Sequence, residues 1–256
     1  MKLRRVDFEQ RFSQASQAGR IVACQNEVMA TQAAHHIPTD SPLPLYRLDV
    51  DTYRRLVDAG ALEGLDVEMQ NGLLVNKHPH NPDPVHRIDV GTYERMVATG
   101  ALEGLPIELL EGLLVEVSPQ SGEHAEAIMR LTRHLGTARA WLRVQLPLET
   151  EWSAVPEPDL ALVEASHPRH RHPRTALLAV EVAVSSHKKD RETKANMYAW
   201  APVPIYWLVD VPARTIEVRT EPGPDGYARC EIYGAGTKVP SPAEGVPDLD
   251  VTALFA

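Results

Sequence analysis

A chain of 256 residues, 43% hydrophobic and 24% charged, can bury a substantial core and is neither a disordered nor a fibrous sequence. Its formal net charge of −9 excludes a protein held to nucleic acid by overall charge, because nonspecific affinity comes from Lys and Arg neutralising phosphates; only local basic clusters are left for that purpose. No run approaches the roughly 18 apolar residues that cross a bilayer, and the two cysteines, Cys24 and Cys230, form no CxxC pair, so a cytoplasmic protein with no membrane span, thiolate metal site or disulfide framework is expected.

Residues 1–42 lack clear periodicity and read as a flexible leader rich in Gln, His and Pro; a translation start at Met29 would remove much of it. A tandem repeat follows. RLDVDTYRRLVDAGALEGLDVEMQNGLLVNKHP from Arg47 is echoed, with more than half of the positions identical, by RIDVGTYERMVATGALEGLPIELLEGLLVEVSP from Arg87. In each copy an Asp (Asp49, Asp89) stands at an N-cap position and a Gly (Gly60, Gly100) follows the apolar face, which predicts a short helix. A hairpin turning at Asn71-Gly72 or Glu111-Gly112 comes next. Two copies are too few for a solenoid, so this is a duplicated cassette, with NKHPHNPDP as the linker between copies. Only the second copy runs directly into the chemistry-bearing region. The expected organisation is therefore an accessory cassette at 43–80 and a catalytic domain at 81–256.

Within 124–143, Ile128, Leu131, Leu135, Ala138 and Leu142 recur at helical spacing and predict one amphipathic helix. Strands are expected at 144–148 (VQLPL), 159–163 (DLALV) and 177–184 (LLAVEVAV), the last buried on both faces. A helix over 189–200 and a strand over 205–210 follow, and TIEVRT with YARCEIY forms a C-terminal β-hairpin. The fold class is α/β, with a core ordered helix, three strands, helix, strand.

Glu181 is the most informative residue. An ionised carboxylate inside an oily strand costs several kcal/mol unless it is paired or binds a metal. Alternation places it with Ala179 and Ala183, small neighbours that leave room around it. Asp159, after Pro158 at the start of an apolar strand, is by itself an ordinary strand-start residue; with Glu181 it makes two carboxylates on adjacent strands, as hard divalent cations require. Asp190, Lys194 and Tyr198 fall at i, i+4 and i+8 on the next helix, which leaves open either a surface ion pair or a lysine leaning toward the metal. HPRHRHPR (167–174) and HKKDR (187–191) put basic groups beside this site; the former reads as a mobile loop, and Ser185 and Ser186 have no GxSxG context.

The succession EGLLVEVSP, EHAEAI, EPDLALV, LLAVEVAVSS, DRETK, MYAWAPVPIYWLVD and GVPDLDVTALF resembles the Uma-two family of restriction-endonuclease-like proteins, within the PD-(D/E)XK nuclease superfamily, from Arg87 to the C-terminus. The resemblance implies a restriction-endonuclease-like α/β core with Asp159 and Glu181 as ligands of Mg²⁺ or Mn²⁺ and Lys194 as the active-site lysine. In the more common arrangement that lysine stands two residues after the strand glutamate, where this chain has Ala183. The chain also has Pro202-Val203-Pro204-Ile205 where the family usually has Gly-Val-Pro-Glu. His124 and Glu108 resemble family residues too; His124 either lines the cleft with Asp190 and Tyr198 or is a helix N-terminal His contacting solvent or a backbone carbonyl, and Glu108 reads as hairpin support. The implied activity is phosphodiester hydrolysis of nucleic acid, DNA in the first place, with a homodimer as one arrangement for cutting both strands. Two rivals stay open: a nuclease-fold module that binds without cutting, and a metal-dependent phosphohydrolase acting on a small substrate.

Overall fold

A computed structural model describes residues 22–23, 43–77, 84–117, 120–150, 154–168, 171–184 and 189–256. The leader apart from residues 22–23, most of the linker, and Ser185 and Ser186 lie outside the described residues. The chain divides into two compact units: a smaller one of Met29–Ser118 with Glu149–Pro156, and a larger one of Met1–Val28, Pro119–Leu148 and Glu157–Ala256.

The smaller unit holds both copies of the repeat. Helix α1 (Val50–Asp58) is capped by Asp49, whose carboxylate accepts from the Thr52 amide at 2.8 Å, and α2 (Val90–Ala98) by Asp89, which accepts from the Thr92 amide at 2.9 Å. The hairpins β2 (Val67–Gln70)/β3 (Leu73–Asn76) and β4 (Ile107–Leu110)/β5 (Leu113–Glu116) turn on Asn71 (φ 50°) with Gly72 (φ 79°), and on Glu111 (φ 50°) with Gly112 (φ 76°). Two successive positive φ values define the I′ turn, whose twist suits a two-residue hairpin. Gly72 is required twice over. A Cβ there would lie 2.7 Å from Arg47 Cβ, and its φ is costly for any other residue. Gly72→Ala is expected to cost about 1–3 kcal/mol in thermal unfolding; a loss below a few tenths would show that the turn relaxes freely.

The copies exchange strands. The segment entering the first copy pairs with the hairpin of the second, Tyr46 N donating to Leu114 O (2.9 Å) and Glu116 N to Pro44 O (2.8 Å). The segment entering the second copy pairs with the first hairpin, His86 N donating to Leu74 O (2.8 Å) and Asn76 N to Pro84 O (2.9 Å). Leu56, Met96, Leu74 and Leu114 then share one apolar core. The expected boundary at 80/81 thus gives way to a division in which the two copies fall together. The reason is this pairing: the His86–Leu74 arm is local, but the Tyr46–Leu114 arm joins residues 68 apart in sequence and leaves no local trace.

In the larger unit a seven-stranded sheet has the order β1-β11-β10-β9-β8-β7-β6, from β1 (Val22–Ala23), β6 (Trp141–Val144), β7 (Leu160–Val163), β8 (Leu178–Ala183), β9 (Ile205–Asp210), β10 (Thr215–Gly223) and β11 (Gly226–Tyr233). Only the β8–β9 pairing is parallel; the intervening crossover carries α4 (Ala195–Trp200), entered through a π-helical stretch, Lys189–Lys194. One face, with Val180, Val182 and Trp207, packs against α3 (Gly122–Leu135). The other, with Ala161, Ala179 and Leu208, packs under α4. A short pair, β12 (Lys238–Val239) and β13 (Leu249–Asp250), and helix α5 (Val251–Leu254) close the chain.

Three expectations change. Helix α3 stops at Leu135, not at residue 143: Gly136 is its C-cap, its amide donating to the Thr132 carbonyl, and Leu142, although at helical spacing, serves as a strand residue facing the core beside Val144. The strand expected at 144–148 is correspondingly displaced to Trp141–Val144. Cys230 in β11, read as a plain buried strand residue, is disulfide-bonded, against the expectation of no disulfide.

Candidate active site

The antiparallel register of β7 and β8 pairs Leu160 with Val180 and Ala161 with Ala179. Continued one residue past the start of β7, it brings Asp159 opposite Glu181, and alternation puts both on the face under α4, where Ala161, Ala179 and Ala183 also lie. Opposite residues of such a pair have Cβ atoms about 4.5–5.5 Å apart. The small alanines follow from the sequence pattern and leave the carboxylates uncrowded.

Glu181 is 3% exposed. The Lys194 ammonium stands 3.1 Å from its Oε1 and 3.2 Å from its Oε2, and the Tyr198 hydroxyl donates to Oε1 at 2.6 Å. These three groups form a buried cluster in which the ammonium and the hydroxyl partner the carboxylate. Asp159 Oδ2 accepts from the Val182 amide at 2.8 Å and meets His124 Nε2 at 3.2 Å. His124 sits in the first turn of α3, where the Ser121 hydroxyl oxygen caps its amide. The hydrogen bond to Asp159 raises the imidazole pKa above its usual value; burial opposes the shift, and the Asp159 and Asp190 charges add to it. With side-chain exposures of 13% each, His124 and Asp159 form the open side of the cluster, and Glu181 and Lys194 its buried side.

All six residues singled out in the sequence, His124, Asp159, Glu181, Asp190, Lys194 and Tyr198, belong to this one neighbourhood. Asp190 and Tyr198 are both buried. Lys194 is also buried, so the plain surface ion pair with Asp190 is not the arrangement adopted. Sequence reading missed Tyr206: its hydroxyl donates to the Asp190 carbonyl at 2.9 Å and its ring lies 5.4 Å from that of Tyr198, which ties the π-helical stretch to the sheet. Burial pushes the Tyr206 hydroxyl well above its usual pKa, and Glu181 and Asp190 reinforce the shift. It also missed Glu217, which accepts from Arg191 Nε at 2.7 Å and from Arg219 at 3.0 Å. Alternation in IYWLVD and TIEVRT carried a signal for both, since it puts Tyr206 and Glu217 on the Glu181 face.

Two carboxylates are a sparse donor set. Among the described residues no group of three or more His, Cys, Asp or Glu side chains gathers as a metal site. Mg²⁺ nonetheless keeps several waters and is commonly bound through one or two carboxylates, so hard oxygens from Asp159 and Glu181 fit it and thiolate-seeking metals do not. Of the basic run at 167–174, His167 bonds the Arg171 carbonyl at 3.0 Å, and residues 169–170 lie outside the described residues, as do 187–188 of the second run. Glu108 lies in β4 of the smaller unit and is buried there, consistent with support of the hairpin.

A family model, Uma2, described as "Putative restriction endonuclease", matches residues 91–253. The chain belongs to the Uma2 family. A crystal structure from Anabaena variabilis ATCC 29413, of a protein described as "a putative nuclease belonging to DUF820", is similar to this Uma2 protein at 16% identity and a TM-score of 0.47, over 58% of this chain and 89% of that one. No curated protein matches. The Uma2 match starts at Gly91, so it takes in nearly all of the second repeat copy and none of the first. Among the described residues no helix is long and apolar enough to cross a membrane.

Proposed function

We propose that this Uma2 protein is a metal-dependent endonuclease that hydrolyses phosphodiester bonds in nucleic acid, DNA foremost, with Mg²⁺ or Mn²⁺ held by Asp159 and Glu181. The observation that carries the reading is the buried Glu181 carboxylate, compensated by Lys194 and Tyr198 and one strand away from Asp159. When bound, the divalent ion polarises the phosphoryl oxygen and makes a bound water more acidic. The protein does the rest. The Val182 amide and His124 fix the orientation of the Asp159 carboxylate, and Tyr198 fixes that of Glu181. Lys194 brings an ammonium to the place where negative charge develops on the phosphoryl oxygens. His124, hydrogen-bonded to Asp159 at the open side of the cluster, holds that carboxylate in place.

The test is cleavage of single-stranded and duplex DNA and RNA with Mg²⁺, Mn²⁺ or EDTA. EDTA should stop cutting, and Lys194→Met should lower kcat by about 10²–10³, read on protein shown by chemical denaturation to be folded, since Lys194 is also half of a buried ion pair. Metal binding without cutting of any nucleic acid would favour a binding module, and hydrolysis confined to small phosphate esters a phosphohydrolase.

A further inference from the structure

Among the described residues, the sheet face that carries Glu181 also carries or faces four basic side chains. Three have carboxylate partners: Lys194 with Glu181, Arg191 with Glu217, and Arg219 with Glu217. The fourth is Arg143. It lies in β6, the last strand of the sheet, opposite Ala161, and its neighbours Leu142 and Val144 pack on the other face, so alternation places Arg143 on the Glu181 side. Asp159 stands two residues before Ala161, hence diagonally across from Arg143, a relation that puts Cα atoms about 7–8 Å apart.

Among the described residues no carboxylate lies within ion-pair distance of Arg143. Its Nη2 donates to the Pro147 carbonyl at 3.2 Å, and its Nε is buried without an acceptor. Partial burial also depresses the guanidinium pKa, with no opposing charge to offset it. A partly buried cation with one buried, unused donor is well completed by an anion. Guanidinium is the side chain suited to that task, because its donors match two phosphate oxygens at once.

We propose that Arg143 binds a backbone phosphate of the nucleic-acid strand and holds that strand alongside the Asp159–Glu181 pair. This rests on the nuclease reading above for its ligand, and the two can fail separately. The experiment is fluorescence anisotropy of the full chain, with Ca²⁺, on labelled single-stranded and duplex DNA of two unrelated sequences over a range of NaCl, for wild type, Arg143→Gln and Arg143→Lys. Arg143→Gln should bind both sequences roughly tenfold more weakly, as expected for loss of a charge-assisted hydrogen bond. Its duplex plot of log K against log[salt] should be shallower by about 0.9, the share of one phosphate contact. Arg143→Lys should recover the slope. Unchanged affinity and slope in Arg143→Gln would overturn the proposal while leaving cleavage, if present, to support the nuclease. An Arg143-dependent slope in a protein that never cuts would uphold the proposal and remove the nuclease. Arg143→Lys with a slope as shallow as that of Arg143→Gln, or Arg143-dependent displacement of DNA by micromolar inorganic phosphate, would overturn it, as would wild type that binds no DNA.

Discussion

Glu181→Ala is expected to abolish cleavage and also to destabilise the larger unit by about 3–5 kcal/mol, the usual cost of removing one member of a buried ion pair. The substitution takes from the buried Lys194 ammonium a carboxylate at 3.1 Å and from the Tyr198 hydroxyl its acceptor at 2.6 Å. Loss of activity alone would then be ambiguous, because an unfolded enzyme also cuts nothing. The triple variant Glu181→Leu, Lys194→Met, Tyr198→Phe resolves this. It replaces the polar cluster by apolar groups of similar size, a change that is often neutral or stabilising. Chemical denaturation should find the triple variant close to wild type and the single variant far below it, with neither cutting. A well-folded triple variant that still cuts would move the active site elsewhere. A single variant within about 1 kcal/mol of wild type would show that Glu181 contributes little to the fold.

Deleting the first repeat copy, residues 43–80, should unfold what remains of the smaller unit. A chain that keeps only the second copy loses the Tyr46–Leu114 and Pro44–Glu116 hydrogen bonds along β5 and strips Met96, Leu109 and Leu114 of Leu56, Leu62 and Leu74. The milder pair Leu56→Ala and Met96→Ala, equivalent positions 40 residues apart and both fully buried, should each cost about 2–5 kcal/mol. Amide exchange read by mass spectrometry would check both predictions. If β4 and β5 keep wild-type protection in the deleted protein, the copies are independent and the shared core is unimportant.

What could be read in advance was whatever depends on neighbours in sequence. Asp49 and Asp89 cap their helices, the Asn71-Gly72 turn needs two positive φ values, and β9 spans the run IYWLVD, all dictated within a few residues. Glu181 was legible for a different reason: a carboxylate amid alanines and valines conflicts with its surroundings, and such conflicts mark sites. The end of α3 was misread because Leu142 satisfies a 3.6-residue period and a strand alternation equally well, and Gly136 decides between them. The π-helical entry to α4 has no compositional signature. The pairing of Arg191 with Glu217 left none either, because Arg191 comes from the π-helical stretch and Glu217 from β10, and the two meet only once the sheet is assembled.

The strand exchange in the smaller unit has a further meaning for how such a chain could arise. With a single cassette, the entering segment has no second hairpin in its own molecule and can complete its ladder only on another copy of the protein, at a rate set by concentration. Doubling the cassette tethers donor and acceptor in one chain, which makes their pairing intramolecular. Duplication thus turns an encounter between molecules into a folding step within one, and the unit becomes indifferent to dilution.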